Sequence, residues 1–129
     1  MKTRNALGLT LLTLLLAAHA NAETTRPFDP VGRWRFYHTD GQPFLASLLP
    51  DQSASTDWAG GERGIWRWEG NSVRILYTDG WDDLLTLSSD GKFVKSGWSP
   101  EANRCAAASN QAAAEHLSSD PGTGVDPTR

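Results

Sequence analysis

The sequence predicts a mainly β protein: an antiparallel, seven-stranded up-and-down meander curled into a small barrel and followed by one C-terminal α-helix. Three observations predict it. From Val31 to Trp98 the chain is a series of short runs rich in aromatic and β-branched residues, broken every eight to ten residues by turn formers. No interval between those breaks is long enough for the crossover helix that parallel strands require, so each strand pairs antiparallel with the next. Along the runs apolar side chains alternate with polar ones, which gives the sheet a single interior face.

The elements follow in order. Lys2 and Arg4 precede an apolar run from Ala6 to Ala18 and the small-x-small triplet Ala20-Asn21-Ala22, so residues 1–22 read as a signal peptide cut after Ala22. The apolar run, 13 residues long, falls short of the roughly 20 that cross a bilayer. The expectation is a periplasmic or secreted protein with no membrane insertion. Residues 23–30, ETTRPFDP, hold two prolines and little apolar content and form an extended lead-in. The barrel domain spans 31–98, with strands at 32–38, 43–49, 54–58, 64–68, 72–78, 82–88 and 92–98. Between them lie Asp40-Gly41, Pro50-Asp51-Gln52, Ala59 to Gly64, Glu69-Gly70-Asn71, Asp79-Gly80 and Asp90-Gly91. Asp-Gly pairs suggest two-residue type I′ hairpins, since Gly and Asp best tolerate the positive φ required there.

Period-2 alternation assigns the faces. Trp34 and Phe36 share the interior with Phe44, Ala46, Leu48, Trp66, Trp68, Val73, Ile75, Tyr77, Leu85 and Leu87, while Arg33, Arg35, Ile65, Arg67, Arg74 and Leu76 point the other way. The adjacent Asp82 and Asp83 must face opposite sides. After Trp98, Ser99-Pro100-Glu101 has the cap, first-turn proline and N-terminal acid of a helix start. The alanine-rich run that follows favours a helix over 99–117. Residues 118–129, SSDPGTGVDPTR, read as a disordered tail.

Two stretches echo one another. Tyr37 to Trp58 and Tyr77 to Trp98 each begin Tyr-x-x-Asp-Gly or Tyr-Thr-Asp-Gly, carry a leucine-containing run and reach a Trp 21 residues on. The echo reads as two three-stranded halves of one meander, with Trp81 unmatched because Gln42 holds its place in the first copy.

Composition narrows function. Of 12 basic residues, Lys2 and Arg4 leave with the leader, so 10 face 15 acidic ones and the mature formal charge is −5. No basic patch exists to neutralise phosphates, which argues against nucleic acid as a partner. The single Cys105 has no partner in its chain; it is expected at a helix-to-sheet contact, with a Cys105-linked dimer of an otherwise monomeric chain as the alternative. A Cys105–His116 dyad is set aside, because 11 residues of helix separate the two by roughly 16 Å. Asp79, Asp82 and Asp83 lack calcium-loop spacing, no zinc motif occurs, and no cofactor motif is present, so neither metal nor cofactor is expected.

Six tryptophans are the compositional anomaly. In an up-and-down order the turns at 39–42, 59–63 and 79–81 share one end with the close of the seventh strand. That gathers His38, Asp40, Trp58, Arg63, Asp79, Trp81 and Trp98, flat rings mixed with polar groups, as a ligand-binding site needs. The competing reading is that the C-terminal helix covers this end and buries the rings as core.

Gly32-Arg33-Trp34 resembles the Gly-x-Trp of lipocalin and avidin-like barrels, which implies a calycin-like barrel whose Trp packs at the closed end. Gly64-Ile65-Trp66-Arg67-Trp68 followed by Asp79-Gly80-Trp81-Asp82-Asp83-Leu84-Leu85-Thr86-Leu87-Ser88-Ser89-Asp90-Gly91 is similar to small bacterial exported modules of uncharacterised function. That resemblance covers about residues 31–98 and implies a β-meander; it brings no catalytic residues to carry over. The functional expectation is therefore a non-enzymatic exported binding module for a glycan or small amphipathic ligand, using Trp81, Trp58, Trp98, His38, Arg63 and Asp79. The alternative is an inhibitor or interaction partner of an exported enzyme, with ETTRPFDP as the inserting arm; a small hydrolase ranks last.

Overall fold

The structure is a computed structural model that describes residues 25–124. The signal peptide read at 1–22 lies outside the described residues, as do residues 125–129. Eight antiparallel strands close into a barrel in the order β1 to β8, β8 returning to β1. They are β1 Gly32–Tyr37, β2 Pro43–Leu48, β3 Ser53–Thr56, β4 Glu62–Glu69, β5 Ser72–Tyr77, β6 Asp82–Leu87, β7 Phe93–Trp98 and β8 Asn110–Ser118. The first seven fall where the sequence places them, within a residue or two.

The eighth strand corrects the expected helix at 99–117. No α-helix occurs among the described residues; 99–109 is an irregular loop and the alanine run is extended. Seven strands alone would leave β1 and β7 with unpaired N–H and C=O groups along two edges. β8 satisfies both, pairing Phe93 with Ala114 and Lys95 with Ala112 on one side and Arg35 with Glu115 on the other. Tertiary pairing here outweighs the helix propensity of alanine. The small side chains also suit the inside of the barrel, where Ala112 and Ala114 face it opposite the long Lys95 and Phe93. Gly32 permits the seam: its φ is +147°, and a Cβ there would lie 2.2 Å from the Ser118 carbonyl oxygen. Cys105 is consequently exposed in the loop rather than held between helix and sheet.

The Asp-Gly turns are three-residue loops, not the expected type I′ pairs. In each the strand ends exchange one bond (His38 N–H to Gln42 O, Tyr77 N–H to Trp81 O, Ser88 N–H to Lys92 O), and only the glycine has positive φ. The Asp carboxylate accepts the N–H two residues on, a type I turn with a left-handed bulge residue. The Pro50 turn repeats the pattern, with Gln52 at φ +70° in the glycine's place.

Trp34, Phe36, Ala46, Leu48, Val73, Ile75 and Leu85 form the buried centre, as the alternation predicts. The two ends differ. At the base the lead-in crosses the barrel: Phe28 meets Trp68 and Phe93 at 5.2 and 5.1 Å between ring centroids, and the Trp34 indole donates to the Pro30 carbonyl at 2.9 Å. Arg26 stacks over Trp68 and donates to the Gly70 carbonyl. Of the tail, residues as far as Gly124 are described, and Ser47 Oγ donates to the Pro121 carbonyl on the outside of the wall. The β1–β2, β3–β4, β5–β6 and β7–β8 connections surround the opposite end, the mouth.

Candidate functional site

Three hairpins each send one ring to the mouth. His38 follows β1, Trp58 follows β3 and Trp81 precedes β6, so the strand order places them side by side. His38 stacks on Trp58 with centroids 4.1 Å apart and planes 13° from parallel, and meets Trp81 edge-on at 5.8 Å. Phe44 backs Trp58 at 5.5 Å. With Glu62, Tyr77, Asp83, Lys95 and Asn110 these rings line a narrow pocket of about 20 Å³, room for about one water, that opens to solvent at its mouth.

Its floor is charged. Asp83 and Lys95 are both almost completely buried, at 3% and 2% exposure, and their head groups lie 3.3 Å apart. Tyr77 Oη donates to the other carboxylate oxygen at 3.0 Å. Burial pushes the Asp83 carboxyl up against the opposing pull of Lys95, and the Tyr77 phenol well above its usual range, again chiefly by burial. Gly97 makes room for this group: a Cβ would stand 2.8 Å from Asn110 Oδ1 and 2.9 Å from Asp83 Oδ1. At the rim the Glu62 carboxyl is pushed up to about 8, first by burial and then by its hydrogen bond to Asp79 and the nearby charges of Asp79 and Asp83. Two buried atoms at the mouth make no hydrogen bond: Asn110 Oδ1, and His38 Nδ1, which lies 3.7 Å from Asp40 Oδ1. Asn110 Nδ2 is used, donating to Thr39 Oγ1 at 3.1 Å.

Of the six expected site residues, His38, Trp58 and Trp81 line the pocket. Asp79 adjoins it through Glu62 while capping its own turn. Trp98 and Arg63 do not line it. Trp98 points outward by strand parity, is 8% exposed, and is covered by the 99–109 loop, its indole donating to the Ala106 carbonyl at 3.2 Å. Arg63 is exposed on the outer face of β4, beside Ile65 and Leu76. The competing expectation, a helix over this end, fails with the helix itself.

Sequence reasoning missed Glu62, Tyr77's polar role, Asp83, Lys95 and Asn110. A parity signal existed for Lys95, since Phe93, Lys95 and Gly97 alternate with outward Val94 and Ser96. Asp82 and Asp83 do diverge: Asp82 points outward and is fully buried between the Arg74 and Arg104 guanidiniums. Among the described residues no group of three or more His, Cys, Asp or Glu side chains could hold a metal ion. No protein-family model, curated protein or solved structure matches the chain.

Proposed function

We propose that the chain is an exported, non-enzymatic binding module of calycin-like architecture that holds a glycan unit or small amphipathic ligand in the mouth of its barrel. One observation carries the reading: rings from three separate hairpins converge over a buried, charged floor, with two buried polar atoms beside them that make no hydrogen bond. A buried ion pair seldom improves stability over apolar residues of the same volume. Placed in a pocket beneath aromatic walls, it serves recognition, the rings stacking a ligand and the polar groups orienting it.

The base supports the same reading over the inhibitor alternative. Residues 25–30, part of the arm that an inhibitor would insert into a partner, lie on the chain's own barrel through Phe28, Arg26 and Pro30. Titrating the protein with cell-wall sugars and small lipids while following tryptophan fluorescence tests the proposal. A saturable quench or shift that disappears in Trp58→Ala and Trp81→Ala is expected. No response to either class would count decisively against it.

A further inference from the structure

Carboxyl groups outnumber cationic side chains around the mouth. Glu62, Asp79 and Asp83 bring three carboxyl groups to or beside the pocket, and Asn110 adds an unpartnered carbonyl oxygen. Among the described residues Lys95 is the one lysine or arginine lining it, and its ammonium is already engaged with Asp83 at the floor. Once that pair is balanced, Glu62 remains in the pocket with His38, Trp58 and Trp81, and Asp79 adjoins it. A carboxyl pair beside electron-rich ring faces is the environment that attracts a desolvated cation with an apolar surface.

Resting on the mouth-binding reading, we infer that the ligand class is a small organic cation, an alkylammonium whose head group lies among the rings of His38, Trp58 and Trp81 beside Glu62 and Asp79. Its alkyl hydrogens meet ring faces, and any N–H or O–H it carries can donate to a rim carboxylate or to Asn110 Oδ1. In the free protein a proton neutralises the Glu62 carboxylate, whose titration is raised first by burial and then by Asp79 and Asp83. Asp79 from the β5–β6 turn, Asp83 from β6, Lys95 from β7, Tyr77 from β5 and His38 from the β1–β2 turn all face or adjoin that carboxyl. A bound cation takes over the proton's role, so binding near pH 7 expels it.

The test is isothermal titration of the purified chain at pH 7 with choline and ethylammonium, each compared with a neutral probe, 3,3-dimethylbutan-1-ol and N-acetylglucosamine, in buffers of different ionisation enthalpy. At least one cation should bind about tenfold or more tightly than 3,3-dimethylbutan-1-ol. Proton release approaching one per bound cation should accompany it and vanish in Glu62→Gln, whose fold is checked separately by its thermal transition. Equal or tighter binding of a neutral probe, lost in Trp58→Ala, would overturn the cation assignment while leaving the mouth as a binding site. Binding of none of the four probes would overturn the cation assignment, and the wider fluorescence screen would then judge the mouth by itself. Cation binding without proton release would overturn the role given to Glu62.

Discussion

Asp82 and Asp83 are neighbours in sequence that do different work, and strand parity alone separates them. Asp82 goes outward into a clasp with Arg74 and Arg104 that ties the 99–109 loop to the wall, helped by the Arg104 bond to the Gly80 carbonyl. Asp82→Ala takes away the carboxylate that two guanidiniums share, Glu69 remaining on Arg74. It should cost about 3 kcal/mol in urea denaturation, because breaking one partner of a buried pair strands the rest. Asp83 goes inward, where it meets Lys95 and Tyr77. That divergence was legible in the sequence; its consequences were not, because a lone Lys in a strand reads as solvent-facing until its neighbours across the sheet are known. Glu62 carries a prediction of its own. Its folded-state pKa, about 8, lies above the ordinary value of 4.5, so the folded chain keeps a proton that the unfolded chain loses. The associated stability is complete below about pH 4.5 and is lost as pH rises towards 8. Glu62→Gln should therefore gain in relative stability over the wild type from pH 5 to pH 8. A constant difference between the two urea midpoints across that range would refute the assignment.

Among the elements, the turns and β8 show what local sequence can and cannot specify. Asp-Gly marked the hairpins because each Asp side chain and each left-handed Gly is determined by its own few residues. Four loops share the geometry, and one carries Gln52 at φ +70°. Gln52→Gly removes the steric cost of a side chain in that region, offset in part by the greater freedom of glycine in the unfolded chain. A net gain of about 0.5 kcal/mol, a rise of roughly 3 °C in Tm, is expected by calorimetry. β8 was illegible for the opposite reason. Ser99-Pro100-Glu101 and the alanines satisfy every local rule for a helix, whereas the edges of β1 and β7 that recruit the run as a strand lie far away in sequence. The alternation of Asn110, Ala112 and Ala114 inward with Gln111, Ala113 and Glu115 outward was present, but alanine is too small to make a period of two visible. Glu115 then binds both Arg35 and Tyr37 across the seam.

Among the described residues the barrel has one end closed and the other open. The base is filled by Phe28, Trp34, Trp68 and Phe93, and the mouth keeps rings and charges together. Closure by eight antiparallel strands fixes which loops surround the mouth, so the up-and-down order by itself places His38, Trp58 and Trp81 together. It could not place Trp98, whose parity sends it outside the wall. The echoed halves of the sequence thus become two stretches of one wall. Trp58 ends the first inside the mouth, Trp98 ends the second outside it, and the unmatched Trp81 joins Trp58 at the site. The most direct measurement is a two-dimensional NMR titration that follows the six indole N–H resonances while choline is added. The Trp58 and Trp81 signals should move together along one saturable curve while those of Trp34, Trp66 and Trp98 stay in place. Shifts confined to Trp98, or no indole shift at saturation of any bound cation, would contradict a binding site in the mouth.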